Sequence, residues 1–152
     1  MMVTQDVPIQ PLPIDQFRSF KEPSLPNPDI VIMLPQLKAM RNVIERLKDL
    51  DTILTIEANM GGEMILKIQT DMVSIATFYK NLDHPQLDGR ITNEGPEVIS
   101  SAKVDIKKFW KALYSYQVDP THVICCIVKG TALVLHALLD DLFITYYIPV
   151  VA

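Results

Sequence analysis

The sequence predicts an α+β protein made of two strand–helix–three-strand repeats, with two helices packed on antiparallel sheet. A short apolar run leads into an amphipathic helix twice along the chain, and three strand patterns follow each helix. The turns of the two halves are offset by about 70 residues, which indicates an internal duplication. A chain of 152 residues, of which 49% are hydrophobic and 21% charged, is long enough to bury a shared core.

The first 28 residues are expected to lie outside the repeats. Residues 3–10 are predicted to be extended, and Pro8 would confine them to a sheet edge or an irregular end. Residues 11–28 contain five prolines and are predicted to form a connector without regular structure. Phe17 and Phe20 are expected to pack this connector against the folded body.

The first repeat opens with a strand that leads into a helix. Residues 30–34 form an apolar run rich in branched side chains, which is typical of a buried strand. Pro35 ends the strand and is compatible with the first turn of a helix. Apolar residues then recur at spacings of three and four, which predicts one buried stripe: Leu37, Met40, Val43, Ile44, Leu47 and Leu50. Charged residues fall on the opposite side: Lys38, Arg41, Glu45, Lys48 and Asp49.

Three strands are predicted to complete this repeat, at residues 52–58, 63–69 and 72–79. Apolar and polar residues alternate in part along them, and Gly61-Gly62 provides a turn between the first two. Residues 83–96 are predicted to be a polar loop.

The second repeat follows the same plan. A strand is predicted at 98–104, and Asp105 is suited to cap the next helix. In that helix, one face is apolar and the other basic: Ile106, Phe109, Trp110 and Leu113 lie opposite Lys107, Lys108 and Lys111. The remaining strands are predicted at 122–129, 131–138 and 142–148.

These last three strands are apolar on both faces, which is unusual for an open antiparallel sheet. Two interpretations remain: the sheet is covered on both sides, or it continues into a partner. The second is favoured, because a long bare apolar edge invites aggregation.

Positive charge is concentrated in the two helices. Residues 36–50 and 105–116 together carry +4 in a chain whose net charge is −4, so the remainder carries −8. A basic pair of helices in an acidic protein suggests an anionic partner. The alternative is that these charged faces only solvate the helices.

No catalytic or metal-binding motif is present. His84, His122 and His136 are scattered without ligand spacing, and there is no phosphate-binding glycine loop. Cys125 and Cys126 lack an activating base and are expected to be small core residues. No apolar run approaches the roughly 18 residues that span a membrane. We therefore expect a binding or scaffolding protein with no cofactor and no bound metal, not an enzyme.

A duplicated strand–helix–three-strand unit with basic helices resembles the domains of DNA sliding clamps. The residues themselves resemble the Hus subunits of the heterotrimeric DNA-damage checkpoint clamp, which is related to proliferating cell nuclear antigen. The resemblance runs in order along almost the whole chain, through these motifs: Asp6-Val7-Pro8-Ile9, Glu22-Pro23, Pro26-Asn27-Pro28-Asp29, Leu34-Pro35-Gln36-Leu37-Lys38, Thr55-Ile56-Glu57-Ala58-Asn59, Leu66-Lys67-Ile68, Val104-Asp105-Ile106 and Tyr147-Ile148-Pro149.

This resemblance implies a nuclear clamp subunit that encircles DNA and recruits damage-signalling and repair factors. Residues 1–10 would be the last strand of an N-terminal clamp domain, residues 11–28 the interdomain connector and residues 29–152 the C-terminal clamp domain. The partners would be two Rad-type clamp subunits, duplex DNA in the assembled ring, a clamp loader and repair proteins, with no membrane.

The resemblance also assigns candidate site residues. The DNA-facing residues would be Lys38, Arg41, Lys48, Lys107, Lys108 and Lys111. The interface with a neighbouring subunit would be the strand Met72, Val73, Ser74, Ile75, Ala76, Thr77, Phe78 and Tyr79. Proteins would dock on the connector at Pro13, Phe17 and Phe20, and the strand at 142–148 would extend the sheet into the other clamp domain.

Two other functions stay open at this point. The chain could be an interaction module that docks peptides through its connector or an edge strand, without a DNA role. It could also be a small enzyme whose site residues cannot be grouped from sequence. A ring formed with partner subunits would favour the clamp, whereas peptide binding without salt-dependent DNA association would favour the module.

Overall fold

The first half of the chain contains the predicted strand, helix and three strands. The computed structural model describes residues 2–19, 21–85 and 95–151. The elements of this half are α1 (Ile14–Phe17), β1 (Ile30–Met33), α2 (Leu37–Leu47), β2 (Ile53–Ala58), β3 (Met64–Gln69) and β4 (Ser74–Tyr79).

The second half repeats this order. Its elements are β5 (Ser100–Asp105), α3 (Ile106–Ala112), a 3-10 helix (Leu113–Val118), β6 (His122–Val128), β7 (Ala132–Leu138) and β8 (Phe143–Pro149). The predicted duplication is therefore confirmed. Within the described residues, the antiparallel strands form two four-stranded sheets.

The two repeats exchange their first strands. One sheet has the order β4-β3-β2-β5 and the other β1-β6-β7-β8, so each repeat supplies an edge strand to the sheet of the other. Ile32 lies opposite Cys125 in one sheet, and Leu54 lies opposite Val104 in the other. Because each sheet contains strands from both halves of the chain, the two repeats fold as one unit.

One hydrophobic core joins both sheets to the helices. It contains the inward residues of the strands together with the apolar stripes of α2 and α3. Met40 and Ile44 of α2, and Ile106 and Phe109 of α3, are fully buried. Each such side chain contributes about 1.5–3 kcal/mol through removal of apolar surface from water. The helices therefore lie against the inner faces of the sheets, with their polar sides outward.

The outer face of the second sheet is covered by the connector. Val31, Cys126 and Val134 belong to a second buried cluster, and Leu25 of the connector packs against it. The Tyr147 hydroxyl donates a hydrogen bond to the Glu22 carboxylate. This covering accounts for apolar residues on both faces of β6 and β7. Extension of the sheet beyond β8 stays a prediction.

The N-terminal region is largely irregular. Residues 3–10 are exposed and form no strand with any described residue, which agrees with the irregular end that Pro8 allows, and their pairing within another clamp domain stays a prediction. The connector was predicted to lack regular structure, but it contains the single helical turn α1, which begins after Pro13. A proline with its fixed φ is compatible with the start of such a turn.

Element ends also shift by a few residues. The helix α2 begins at Leu37 with Gln36 as its N-cap, so Pro35 precedes the first turn, and Leu50 lies beyond the helix and is 50% exposed. Strand β4 begins at Ser74, which leaves Met72 and Val73 in the preceding turn. Strand β5 begins at Ser100, two residues later than predicted.

The turn predicted at Gly61-Gly62 is present between β2 and β3. The Asn59 side chain accepts hydrogen bonds from the backbone amides of Gly61 and Glu63, at 2.9 and 3.1 Å. Gly62 has a φ of +90°, a conformation that residues with a Cβ rarely adopt.

Candidate nucleic-acid interface

The outer face of α2 carries mixed charge. Its buried residues are Leu37, Met40, Ile44 and Leu47, and Val43 packs partly against the same core, so the charged positions lie on the other side of the helix. Lys38 and Arg46 are exposed there, but Glu45 and Asp49 are exposed as well. Arg46 was not among the predicted DNA-facing residues, and the structure adds it to this face. The α2 face alone attracts an anion only weakly, because positive and negative charges are mixed on it.

The outer face of α3 is more uniformly basic. Asp105 caps this helix, because its carboxylate accepts hydrogen bonds from the backbone amides of Lys107 and Lys108, at 2.9 and 3.1 Å. The predicted N-cap is thus confirmed. Ile106 and Phe109 fix the buried side, and Lys107, Lys108 and Lys111 are exposed on the other. This places three cations within two helical turns.

Arg41 behaves differently from the exposed lysines, because it packs between the helices. Its guanidinium carbon lies 4.3 Å from the ring centroid of Trp110, 4.2 Å from that of Tyr114 and 5.7 Å from that of Tyr116. The Nζ of Lys48 lies 4.7 Å from the Trp110 ring centroid. These are cation–π distances. Both cations are half-buried and interact with rings of the same chain, so they are less available to an external anion than the exposed lysines.

The six predicted DNA-facing residues therefore form two groups. Exposed lysines lie on α2 and α3, and half-buried cations lie against aromatic rings between them. The aromatic partners were not identified from sequence, although Tyr114 and Tyr116 follow Trp110 at spacings of four and six residues. Phosphate contact by any of these residues remains a prediction.

The predicted subunit-interface strand lies at the edge of its sheet. β4 pairs with β3 alone among the described strands, so its other side is open to further pairing. Phe78 on this strand is 64% exposed, and Met72 just before it is 94% exposed. Large apolar side chains beside an open strand edge suit strand addition by another chain.

The connector borders a groove of about 320 Å³ on the outer face of the second sheet. The connector side is formed by residues 22–26 and Pro28, and the sheet side by Cys126, Val134 and Tyr147, among others. Pro13 is exposed just before α1. The Phe17 side chain and Phe20 lie outside the described residues, so the docking role predicted for them has no structural description.

Buried polar chemistry is sparse in the described part of the chain. No cluster of three or more histidine, cysteine or acidic side chains suited to a metal ion occurs there. Cys125 and Cys126 are both buried, as expected for core residues. Burial, with a smaller contribution from Cys126, raises the pKa of Cys125 well above its ordinary value. Among the described helices, none has the length and apolarity to cross a membrane.

Solved structures of clamps share this fold. Proliferating cell nuclear antigen from Entamoeba histolytica superposes with a TM-score of 0.68 at 14% identity, covering 88% of this chain and 49% of that chain. The homologous antigen from Thermococcus kodakaraensis gives 0.60 at 13% identity, covering 86% and 50%. The duplicated unit with adjacent helices is therefore a clamp domain of the kind found in proliferating cell nuclear antigen.

Sequence comparison identifies the family within this class. The family model for Hus1-like proteins matches residues 1–152, so the chain belongs to the Hus1-like family. The resemblance read from the residues is confirmed.

Three relatives give the extent of the similarity. Human checkpoint protein HUS1 is 39% identical over 150 residues, covering 97% of this chain and 54% of that protein. The checkpoint protein hus1 homolog of Dictyostelium discoideum is 38% identical over 149 residues, covering 98% and 54%. Checkpoint protein hus1 of Schizosaccharomyces pombe is 31% identical over 162 residues, covering 97% and 56%. The chain thus spans about half the length of these relatives.

Proposed function

We propose that this chain is the C-terminal half of a subunit of a heterotrimeric checkpoint sliding clamp. The ring encircles duplex DNA in the nucleus and serves as a platform for damage-signalling and repair factors. Its partners are two other clamp subunits of the Rad type, and a clamp loader places it on DNA. The observation that carries this proposal is the pair of adjacent helices with exposed lysines on a clamp fold in a checkpoint family.

Attraction to DNA in this proposal comes from charge alone. Lysine ammonium groups attract phosphates without reading base edges, which suits a ring that slides along any sequence. Lys107, Lys108 and Lys111 provide most of this attraction, and Lys38 adds to it from α2. Because the remainder of the chain is acidic, the field is strongest at this face.

Assembly uses the edge of the first sheet. The open side of β4 pairs with a strand of a neighbouring subunit, and exposed Phe78 packs beside that pairing. On the second sheet, the edge of β8 faces the other clamp domain. Docking proteins bind along the connector, where the groove lies.

The test is topological. The protein that carries these residues is assembled with the two partner subunits and loaded on nicked circular DNA, and its retention is compared before and after the circle is cut. We expect a ring in electron micrographs and loss of protein from the cut DNA by sliding from its ends. Equal retention on cut and uncut DNA would contradict encirclement. Peptide binding without any ring or DNA association would favour an interaction module instead.

A further inference from the structure

Arg41 of α2 contacts the second repeat through aromatic rings. Its guanidinium lies within 4.3 Å of two ring centroids, Trp110 on α3 and Tyr114 on the 3-10 helix that follows. The rings of Tyr114 and Tyr116 are themselves in contact, with centroids 5.9 Å apart. At these distances a planar guanidinium is attracted to the faces of the aromatic rings that surround it.

The polar atoms of this cluster support the same interpretation. The Nε of Arg41 and the Nε1 of Trp110 are both buried, and neither has a hydrogen-bond partner among the described residues. A guanidinium placed to grip a phosphate would present its N–H groups to solvent. Here one N–H is enclosed, and the side chain is half-buried between two elements.

We propose that Arg41 is a positioning residue that clasps α2 to α3 and so sets the relative placement of the lysines on the two helices. In this role it is not itself a phosphate contact. The proposal deepens the proposed function and rests on it for the DNA readout, but the clasp has a readout of its own. Trp110 is the single tryptophan of the chain, so its fluorescence reports directly on the clasp.

The spectroscopic experiment uses the chain in solution. Arg41→Lys keeps the positive charge but loses the planar group that stacks. We expect a shifted Trp110 emission, greater quenching by acrylamide, and an unfolding midpoint lowered by about 2–8 °C. Lys38→Gln is the matched control, because it removes an exposed charge from the same helix, and it should leave the emission unchanged. An unchanged emission in Arg41→Lys would overturn the clasp.

The DNA experiment separates positioning from contact in the assembled ring. If Arg41 only positions α2, Arg41→Lys and Arg41→Gln weaken DNA association several-fold by a similar factor and leave its salt dependence unchanged. If Arg41 contacts a phosphate, Arg41→Gln alone lowers the slope of log affinity against log salt by about 0.9, and the proposal fails.

Lys38→Gln is also the control for the DNA readout. It should lower the same slope by about 0.9, because Lys38 is proposed to face phosphate. If neither the unmodified ring nor this variant shows any salt-dependent DNA association, the proposed function fails. The clasp is then decided by the Trp110 fluorescence and the unfolding midpoint alone.

Discussion

Asp29 and Lys129, one hundred residues apart in the chain, are joined by a hydrogen bond of 2.7 Å from the Lys129 backbone amide to the Asp29 carboxylate. Asp29 precedes β1 of the first repeat, and Lys129 follows β6 of the second. The Asp29 amide in turn donates to the Ile127 carbonyl at 2.8 Å. These bonds fix the start of the exchanged strand on the sheet that it completes.

Loss of this carboxylate should weaken the junction between the repeats. We expect Asp29→Ala to lower the free energy of unfolding by about 1 kcal/mol, because one hydrogen bond to a charged acceptor is removed at a partly exposed site. Urea unfolding measures this change. Asp140→Ala, at an exposed turn between β7 and β8, is the control and should change stability by less than about 0.5 kcal/mol. Equal effects of the two substitutions would contradict the role given to Asp29.

The strand exchange is a feature of the fold that could not be predicted from this sequence. Strands 30–34 and 98–104 were predicted close to their observed positions, because apolar patterning is a local signal. The pairing of β1 with β6, and of β2 with β5, depends on contacts between residues about 40 to 100 positions apart, which the local pattern does not encode. The sequence therefore predicted the two units but not their exchange of strands.

The surroundings of Arg41 are a second feature that the local sequence pattern could not predict. Helical spacing placed Arg41 among the charged residues opposite the core, which is correct for α2 taken alone. The aromatic rings that enclose it belong to α3 and the 3-10 helix, and their proximity arises only when the two repeats pack. Lysines on α3 needed no such tertiary information, because Asp105 and the apolar stripe already fix the exposed side.

The cap of α3 provides a local test of the helix that carries the three lysines. Asp105→Ala removes the acceptor for two backbone amides and should lower the free energy of unfolding by about 1 kcal/mol. Asp105→Asn keeps a good capping group, and we expect it to lose only a few tenths of a kcal/mol. Thermal or urea unfolding distinguishes the two. A loss of equal size in both variants would indicate that charge, not capping, is what Asp105 supplies.

The edge of β4 provides a test of assembly. Phe78→Glu should weaken association with the neighbouring clamp subunit by at least about tenfold, because an exposed aromatic ring becomes a charge at the proposed interface. Leu50→Glu is a matched control, since Leu50 is 50% exposed after α2 and belongs to neither sheet. Analytical ultracentrifugation with the purified partner subunit measures the association. Unchanged association in the Phe78 variant, or an equal loss in the Leu50 variant, would contradict the proposed interface.

Cys125 predicts how stability depends on pH. Burial raises the pKa of its thiol, so the folded state holds the proton more tightly than the unfolded chain. The resulting stabilisation is complete below the ordinary thiol pKa of about 8.5 and is lost as pH rises through the folded pKa. As the pH rises from about 8.5 towards the folded pKa, we expect the free energy of unfolding to fall by up to about 1.4 kcal/mol per pH unit.

Urea unfolding between pH 7 and 10 measures this dependence. Cys125→Ala should show a flatter decline with pH, whatever its stability at pH 7. Burial also raises the pKa of Tyr79, so the comparison stays below pH 10, where tyrosine does not yet contribute. The same decline in the variant and in the unmodified chain would assign the pH dependence to another group.

The salt dependence of DNA retention tests the central claim most directly. In the assembled ring, Lys107→Gln, Lys108→Gln and Lys111→Gln are combined, and retention on circular DNA is measured over a range of salt concentrations. A second triple variant removes exposed lysines away from the helices, Lys21, Lys103 and Lys129, at the same change in charge. We predict that the helix variant assembles normally but shows weaker retention and a salt slope flatter by about 2 to 3, whereas the control variant matches the unmodified ring. Equal retention and an equal slope for the helix variant and the unmodified ring would contradict the account.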